Sequence, residues 1–181
     1  SPDLWQGDPD QKFTSAGTSV NKRKLPLLFS NEKALFKRGG VNLDIGGGRF
    51  DNVTEMLKAE YGTTNRIWDP FHRESKYLKG VVGKVDWGKA DTVTMSNFLN
   101  VIPKGPTTTR ALAQAYAALK PGGKLYVTVY HASKKKGGPI PKLDRYQRHE
   151  PLEKYRPAIE EFFDIEHVGK GIIVAVRKGG K

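Results

Sequence analysis

Three consecutive glycines, Gly46-Gly47-Gly48, follow Asp44 and Ile45, and a second aspartate, Asp69, stands 25 positions beyond Asp44. Glycine has no Cβ, so a ligand can approach the main chain of such a run closely. Where the run leads into a helix, free N–H groups and the positive helix end favour an anionic or polar ligand. Taken alone, three glycines serve a structural turn as readily as a binding loop. An aspartate at the end of the following strand can accept two hydrogen bonds from a ribose diol. Its other reading is an Asp69-Pro70 turn that terminates a strand. The pairing of the two features favours a nucleoside-containing ligand.

The elements that must position these residues follow from periodicity. Val41 to Ile45 reads as a short strand, and Asp51 as the cap of a helix whose Val53, Met56 and Leu57 form its buried stripe, ended by Gly62. Asn65 to Asp69 is a second strand. His72 to Leu78 reads as helix, and Val81 to Trp87 as a weak third strand interrupted by Gly83 and Lys84. Asp91 to Met95 is a clearer strand, Thr107 to Leu119 a helix, and Lys124 to Tyr130 a β-rich buried run. Ser30 or Asn31 caps an expected short helix through Arg38, and Glu150 to Phe163 reads as helix with a kink at Pro157. Phe163 to Val168 and Ile172 to Arg177, joined at Gly169-Lys170-Gly171, form a closing β-hairpin. Alternating strands and helices with a terminal hairpin predict an α/β fold, its sheet mostly parallel and covered by helices. Residues 1–24 are polar and turn-rich, an N-terminal arm preceding a domain over 25–181.

Composition narrows the chemistry. The absence of cysteine excludes disulfides, thiolate metal sites and a cysteine nucleophile. No apolar run approaches the ~20 residues that span a bilayer, and the polar start does not resemble a signal peptide, so a cytoplasmic protein is expected. The net charge is +12, concentrated in Lys134, Lys135, Lys136, Lys142, Arg145 and Arg148, with a second cluster at Lys22-Arg23-Lys24. Such patches attract nucleic acid or another polyanion, or serve as a solvated surface. Tyr146 between Arg145 and Arg148 combines a ring for base stacking with cations for phosphate. His131 and His149 have the chemistry of general bases, although isolated histidines near a strand end are more often surface or hydrogen-bonded residues. No spacing of His, Asp and Glu suggests a metal site.

The first motif, Val41-Asn-Leu-Asp-Ile-Gly-Gly-Gly48, resembles that of the class I S-adenosylmethionine (SAM)-dependent methyltransferases. Asp69 matches their ribose-binding acidic position. Ala90 to Pro103 resembles their fourth strand and the loop facing cofactor and substrate, and Leu119-Lys-Pro-Gly-Gly-Lys-Leu-Tyr-Val127 their turn into the fifth strand. The resemblance covers residues 41–130. It implies a Rossmann-like sheet of seven strands, SAM at the carboxyl ends of the first strands, and direct in-line methyl transfer. It further implies a cofactor site of Asp44, Gly46, Gly47 and Gly48, in which Gly46 and Gly48 border the methionine and ribose parts and Asp44 supports the loop, with Asp69 on the ribose hydroxyls. Pro70, Phe71, Asp86 and Trp87 then stand near the adenine, and Asn97 faces the reacting centre with Tyr130 and His131 as candidate catalytic neighbours. A nicotinamide-binding alternative fits less well, because the dinucleotide fingerprint requires glycine where Asp51 stands.

The methyl acceptor stays open. Enzymes acting on exocyclic amines of DNA bases carry a proline pair after the fourth strand, whereas this chain has Asn97-Phe98-Leu99-Asn100. That stretch, with Asp144-Arg-Tyr-Gln147, is similar to methyltransferases of phages and mobile elements. Lys134, Lys135, Lys136, Arg145, Tyr146 and Arg148 are the candidate substrate-binding residues for a nucleic acid acceptor. The alternatives are a small-molecule or protein methyltransferase, and a non-catalytic SAM-binding module.

Overall fold

The computed structural model describes residues 23–84, 87–132, 135–143 and 145–179. Within these, a six-stranded sheet has the order β2-β1-β3-β4-β8-β7. Strands β1 (Val41–Ile45), β2 (Thr64–Trp68), β3 (Ala90–Ser96) and β4 (Leu119–Thr128) run parallel. The hairpin β7 (Phe163–Gly169) and β8 (Ile172–Arg177) joins antiparallel to β4. The Rossmann-like arrangement with its antiparallel closing hairpin therefore forms as expected. A separate two-stranded ribbon pairs β5 (Gly138–Ile140) with β6 (Arg145–Gln147).

Alternation along the strands divides the interior in two. Leu43 and Ile45 of β1, Val93 and Met95 of β3, and Leu125 and Val127 of β4 point into the larger core. Helices α2 (Ser75–Lys84), α3 (Pro106–Ala118) and α4 (Arg156–Glu160) cover it through Leu78, Val81, Leu112, Ala115 and Ile159. On the opposite face α1 (Asn52–Tyr61) packs Val53 and Leu57 with Tyr126, Val174, Phe29 and Phe36.

Five expected features differ. Val81 to Lys84 belong to α2 rather than to a strand, so the described sheet has six strands and β2 lies at its edge instead of the implied seven-stranded order. Ser30 to Arg38 is not a helix. A 3-10 turn at Leu27–Ser30 precedes an irregular segment whose Leu35 N–H donates to the Tyr126 hydroxyl at 3.1 Å, while that hydroxyl donates to the Leu35 carbonyl at 2.5 Å. A side chain 91 positions away thus satisfies the backbone groups that a helix would pair locally. Between Leu152 and Glu160, a 3-10 turn (Leu152–Tyr155) leads into the short α4, with Pro157 in its first turn rather than at a kink. Asp51 occupies the N-cap of α1 but its side chain does not cap the helix. The Leu119-Lys-Pro-Gly-Gly turn is absorbed as a bulge in β4. Its register jumps from Ala90 opposite Leu119 to Thr92 opposite Lys124, with Gly122 at φ +78°.

Candidate cofactor and active site

A cavity of about 250 Å³ opens at the carboxyl ends of β1 and β3. That is where parallel sheets flanked by helices place their ligands. It is lined by Asp44, Gly46 and Gly47, by Phe50, Asn52 and Val53 at the start of α1, by Ser96 and Asn97, and by the segment from Lys24 to Leu27.

The glycines are required first by the protein itself. A Cβ on Gly46 would stand 2.3 Å from Phe98 Cδ1, and Gly46 has φ +73°. A Cβ on Gly47 would stand 2.5 Å from Asp44 Oδ2. Gly46 N–H donates to the Trp68 carbonyl at 2.8 Å, closing the loop over the end of β2. The loop is thus drawn close to the strand ends, and Phe98 of the β3–α3 connection packs directly upon it.

Asp44 is only 1% exposed, and a chain of buried side chains orients it. Thr94 Oγ1 donates to Asp44 Oδ1 at 2.8 Å. Asn42 Nδ2 donates to Thr94 Oγ1 and to Asn65 Oδ1, Thr92 Oγ1 donates to Asn42 Oδ1, and Asn65 Nδ2 donates to Thr54 Oγ1. The network runs from α1 across β2, β1 and β3 and leaves one donor for the Asp44 carboxyl. Desolvation dominates its ionisation: burial, reinforced by the neighbouring Asp69 charge, pushes Asp44 up to about 7 against the Thr94 hydrogen bond and the Arg73 charge.

Asp69 ends β2 as expected, but it is 3% exposed and engaged by protein donors. Its Oδ2 accepts the Gly48 N–H at 2.9 Å. Its Oδ1 accepts the Phe71 and His72 N–H groups and His72 Nδ1, the last at 2.9 Å. Arg73 completes the junction by donating from Nε to the Gly48 carbonyl at 2.7 Å, from Nη2 to the Phe50 carbonyl and from Nη1 to Asp51 Oδ1. Both polar backbone groups of Gly48 are therefore held by the β2–α2 connection.

The remaining sequence candidates divide. Pro70, Phe71 and Trp87 are partly buried, Phe71 and Trp87 against the larger core. Asp86 and Lys134 lie outside the described residues, as does nearly all of the expected arm, residues 1–22. Asn97 lines the cavity in a left-handed conformation, φ 49°, with its N–H on the Thr128 carbonyl. Tyr130 is 53% exposed beyond β4 with its ring edge-on to His149 at 6.0 Å, and His131 is exposed beside it. Lys135 and Lys136 are exposed and Tyr146 is partly buried, while Arg145 is described through its backbone in β6.

Arg148 differs most from expectation. It is 6% exposed, with Nη2 bonded to Glu150 at 2.6 Å and its guanidinium 4.1 Å from the Tyr155 ring centroid. Its N–H donates to the Asn100 carbonyl at 2.7 Å. It is thereby spent on tying the basic excursion to the β3–α3 loop and does not face a polyanion from the surface. Among the described residues, no group of three or more histidine, aspartate or glutamate side chains is placed to hold a metal, and no helix is long and apolar enough to cross a membrane.

Sequence reasoning missed Lys24, Asn52, Arg73 and the Asn42–Thr94 network. Lys24 was legible only as part of a charge cluster. The alternation of Asn42 and Asp44 with Thr92 and Thr94 was a signal of one polar sheet face.

No family profile matches the chain, and no curated protein matches it. Solved structures do. A SAM-dependent methyltransferase from Methanosarcina mazei aligns with a TM-score of 0.58 at 15% identity, over 87% of this chain and 99% of that one. The pyocyanin biosynthetic protein PhzM aligns at 0.57 and 17%, over 83% of this chain and 54% of its own. Phosphoethanolamine N-methyltransferase 2 of Haemonchus contortus, solved with S-adenosyl-L-methionine, aligns at 0.56 and 19%, over 81% and 40%. The chain spans about half the length of these last two or less. With its strand order, closing hairpin and cavity at the ends of β1 and β3, the protein has the Rossmann-like fold of SAM-dependent methyltransferases.

Proposed function

We propose that the protein binds SAM in this cavity and transfers its methyl group to an acceptor. The observation that carries the proposal is the combination in one cavity of a carboxyl, Asp44, an ammonium, Lys24, the start of α1 and Asn97. An α-amino acid zwitterion is complementary to that lining. Asp44 would face its ammonium, while Lys24 and the positive end of α1 would face its carboxylate. Asp69, whose Oδ1 is already shared by three protein donors, would reach the ribose only through Oδ2 beside the Gly48 N–H, with Phe71 and Trp87 on the adenine side. When bound, SAM supplies a methyl group already activated by the sulfonium charge. The residues then have mainly to align the acceptor for direct in-line displacement, with Asn97 nearest the reacting centre and Tyr130 and His131 on the acceptor side.

For the acceptor, the exposure of Lys135, Lys136 and Lys142 and of the Tyr130 ring supports a nucleic acid reading. The structural neighbours support a small molecule, since their own substrates include phosphoethanolamine and 1,6-didemethyltoxoflavin. The resemblance to methyltransferases of phages and mobile elements, and a cytoplasmic location, belong to the same proposal.

Calorimetry with SAM and S-adenosylhomocysteine tests the cofactor, and methyl-labelled SAM with DNA, RNA and cell extract tests the acceptor. Absence of binding overturns the cofactor assignment. Label confined to small metabolites overturns the nucleic acid reading, and binding without turnover on any substrate favours a non-catalytic module.

A further inference from the structure

Two guanidinium groups from separate parts of the chain meet one ring at the cavity. Arg23 stands 5.3 Å from the Phe50 ring centroid, and Arg49 stands 5.2 Å from the same centroid. Phe50 lines the cavity, and so does Lys24, next to Arg23 in the chain. Both sides of this meeting are fixed. The Gly48 and Phe50 carbonyls that flank Arg49 accept from Arg73, and Leu28 and Phe29 are buried in the core on the α1 side of the sheet. The convergence is therefore organised before any ligand arrives.

Such a cluster has an electrostatic cost. The two guanidinium carbons lie within about a Debye length (~10 Å) of each other, so their repulsion is not fully screened. Among the described residues, none of Arg23, Lys24 and Arg49 is paired with a carboxylate. The neighbouring carboxylates are engaged elsewhere, Asp51 by Arg73 at 2.8 Å and the buried Asp44 by Thr94. An anion brought by a ligand would offset the repulsion, while cation–π contact with Phe50 keeps both guanidinium groups beside the cavity. On the SAM reading, on which this inference rests, the cofactor brings one carboxylate, and Lys24 with the start of α1 already meets it. Arg23 and Arg49 are left for a second anion. Leu25, Pro26 and Val53 add apolar lining to the same cavity. A polynucleotide is met by cations that track its backbone, whereas these converge on one ring at a cavity of about 250 Å³. We infer that Arg23 and Arg49, gathered on Phe50, form a subsite for the anionic group, a carboxylate or a phosphate monoester, of a small methyl acceptor whose apolar body lies in the cavity.

The test measures binding to the protein saturated with S-adenosylhomocysteine, using phenyl phosphate as the probe and benzyl alcohol as its neutral counterpart. Phenyl phosphate should bind with a dissociation constant of about 1 mM or less, and benzyl alcohol at least about tenfold more weakly. Arg23→Gln/Arg49→Gln, two exposed positions, should weaken phenyl phosphate about tenfold and S-adenosylhomocysteine less than about twofold. Lys58→Gln/Lys154→Gln removes the same charge from exposed positions elsewhere and should change phenyl phosphate less than about twofold. Equal binding of the two probes, or an equal loss in both double variants, would reduce the cluster to unspecific attraction and overturn the inference. Parallel loss of S-adenosylhomocysteine would give the arginines to the cofactor and overturn it too. So would an oligothymidylate that loses affinity in Arg23→Gln/Arg49→Gln while phenyl phosphate does not, the result expected of a nucleic acid acceptor. Failure of the unaltered protein to bind S-adenosylhomocysteine would instead overturn the SAM reading, and this inference with it.

Discussion

Phe98 packs its ring edge against the α-carbon of Gly46, where any β-carbon would lie 2.3 Å from Phe98 Cδ1. The first glycine of the loop is therefore a receiving surface for the β3–α3 connection, and the shape of the cavity depends on a contact between two loops. Gly46→Ala should lower the unfolding free energy by about 2–4 kcal/mol, combining overpacking with a side chain at positive φ. Urea denaturation checks this. Gly46→Ala/Phe98→Leu should recover part of the loss, and a tolerated Gly46→Ala would show that the contact is not tight.

Asp44 predicts a pH-dependent stability of the empty protein. Its folded value near 7 lies above the ordinary 3.8, so its contribution is fully present below about pH 4 and is lost as pH rises through 7. The shift corresponds to an upper bound of roughly 4 kcal/mol. Asp44→Asn imitates the protonated acid and still accepts from Thr94. Without ligand, it should match the unaltered protein at pH 4 and exceed its stability at pH 8. Parallel curves across that range would contradict the burial argument.

Asp69→Ala removes the acceptor for Gly48 N–H and the anchor for the Phe71–His72 turn. It should weaken SAM binding by about tenfold or more, whereas Lys135→Ala should change it by less than about twofold. The reverse ranking in calorimetry would overturn the site assignment.

Arg148 separates a buried cation from surface ones. Arg148→Ala removes a buried guanidinium from its stack on Tyr155 and its bond to Glu150, which keeps Lys104, and should cost about 2 kcal/mol of stability in urea denaturation. The pair Lys135→Glu/Lys136→Glu should alter stability by less than about 1 kcal/mol. If nucleic acid binds, that pair should also flatten its salt dependence. Equal destabilisation by both changes would remove the distinction.

Much of the architecture was legible because local periodicity and burial agree. The strand ending at Ile45, the apolar stripe of α3 and the Gly169–Gly171 turn each carry their own signal. The segment from Ser30 to Arg38 was misread because a capping residue at its start and Gly39-Gly40 at its end bracket a helix-length run. Tyr126, far along the chain, supplies hydrogen-bond partners that hold it irregular. Val81 to Lys84 were misread because the adjacent β-branched Val81 and Val82 suit a strand, whereas Val81 stands one turn from Leu78 and is buried with it in the larger core as part of α2. Arg148 looked like one more cation in a basic run, and its burial, its bond to Glu150 and its stacking on Tyr155 distinguish it from Lys135.

By itself the sequence determined the alternation of strands and helices, the glycine loop between β1 and α1, the aspartate ending β2 and the cysteine-free, basic character of the chain. These depend on residue type and short spacing, which persist whatever the rest of the chain does. Tertiary structure decided which groups share the cavity and in what state. It buried Asp44 against Thr94, set Phe98 on Gly46, brought Lys24 to the start of α1, and turned Asp51 toward Arg73. Those outcomes depend on desolvation and on contacts between loops more than 20 positions apart, and neither quantity has a local signature in the chain.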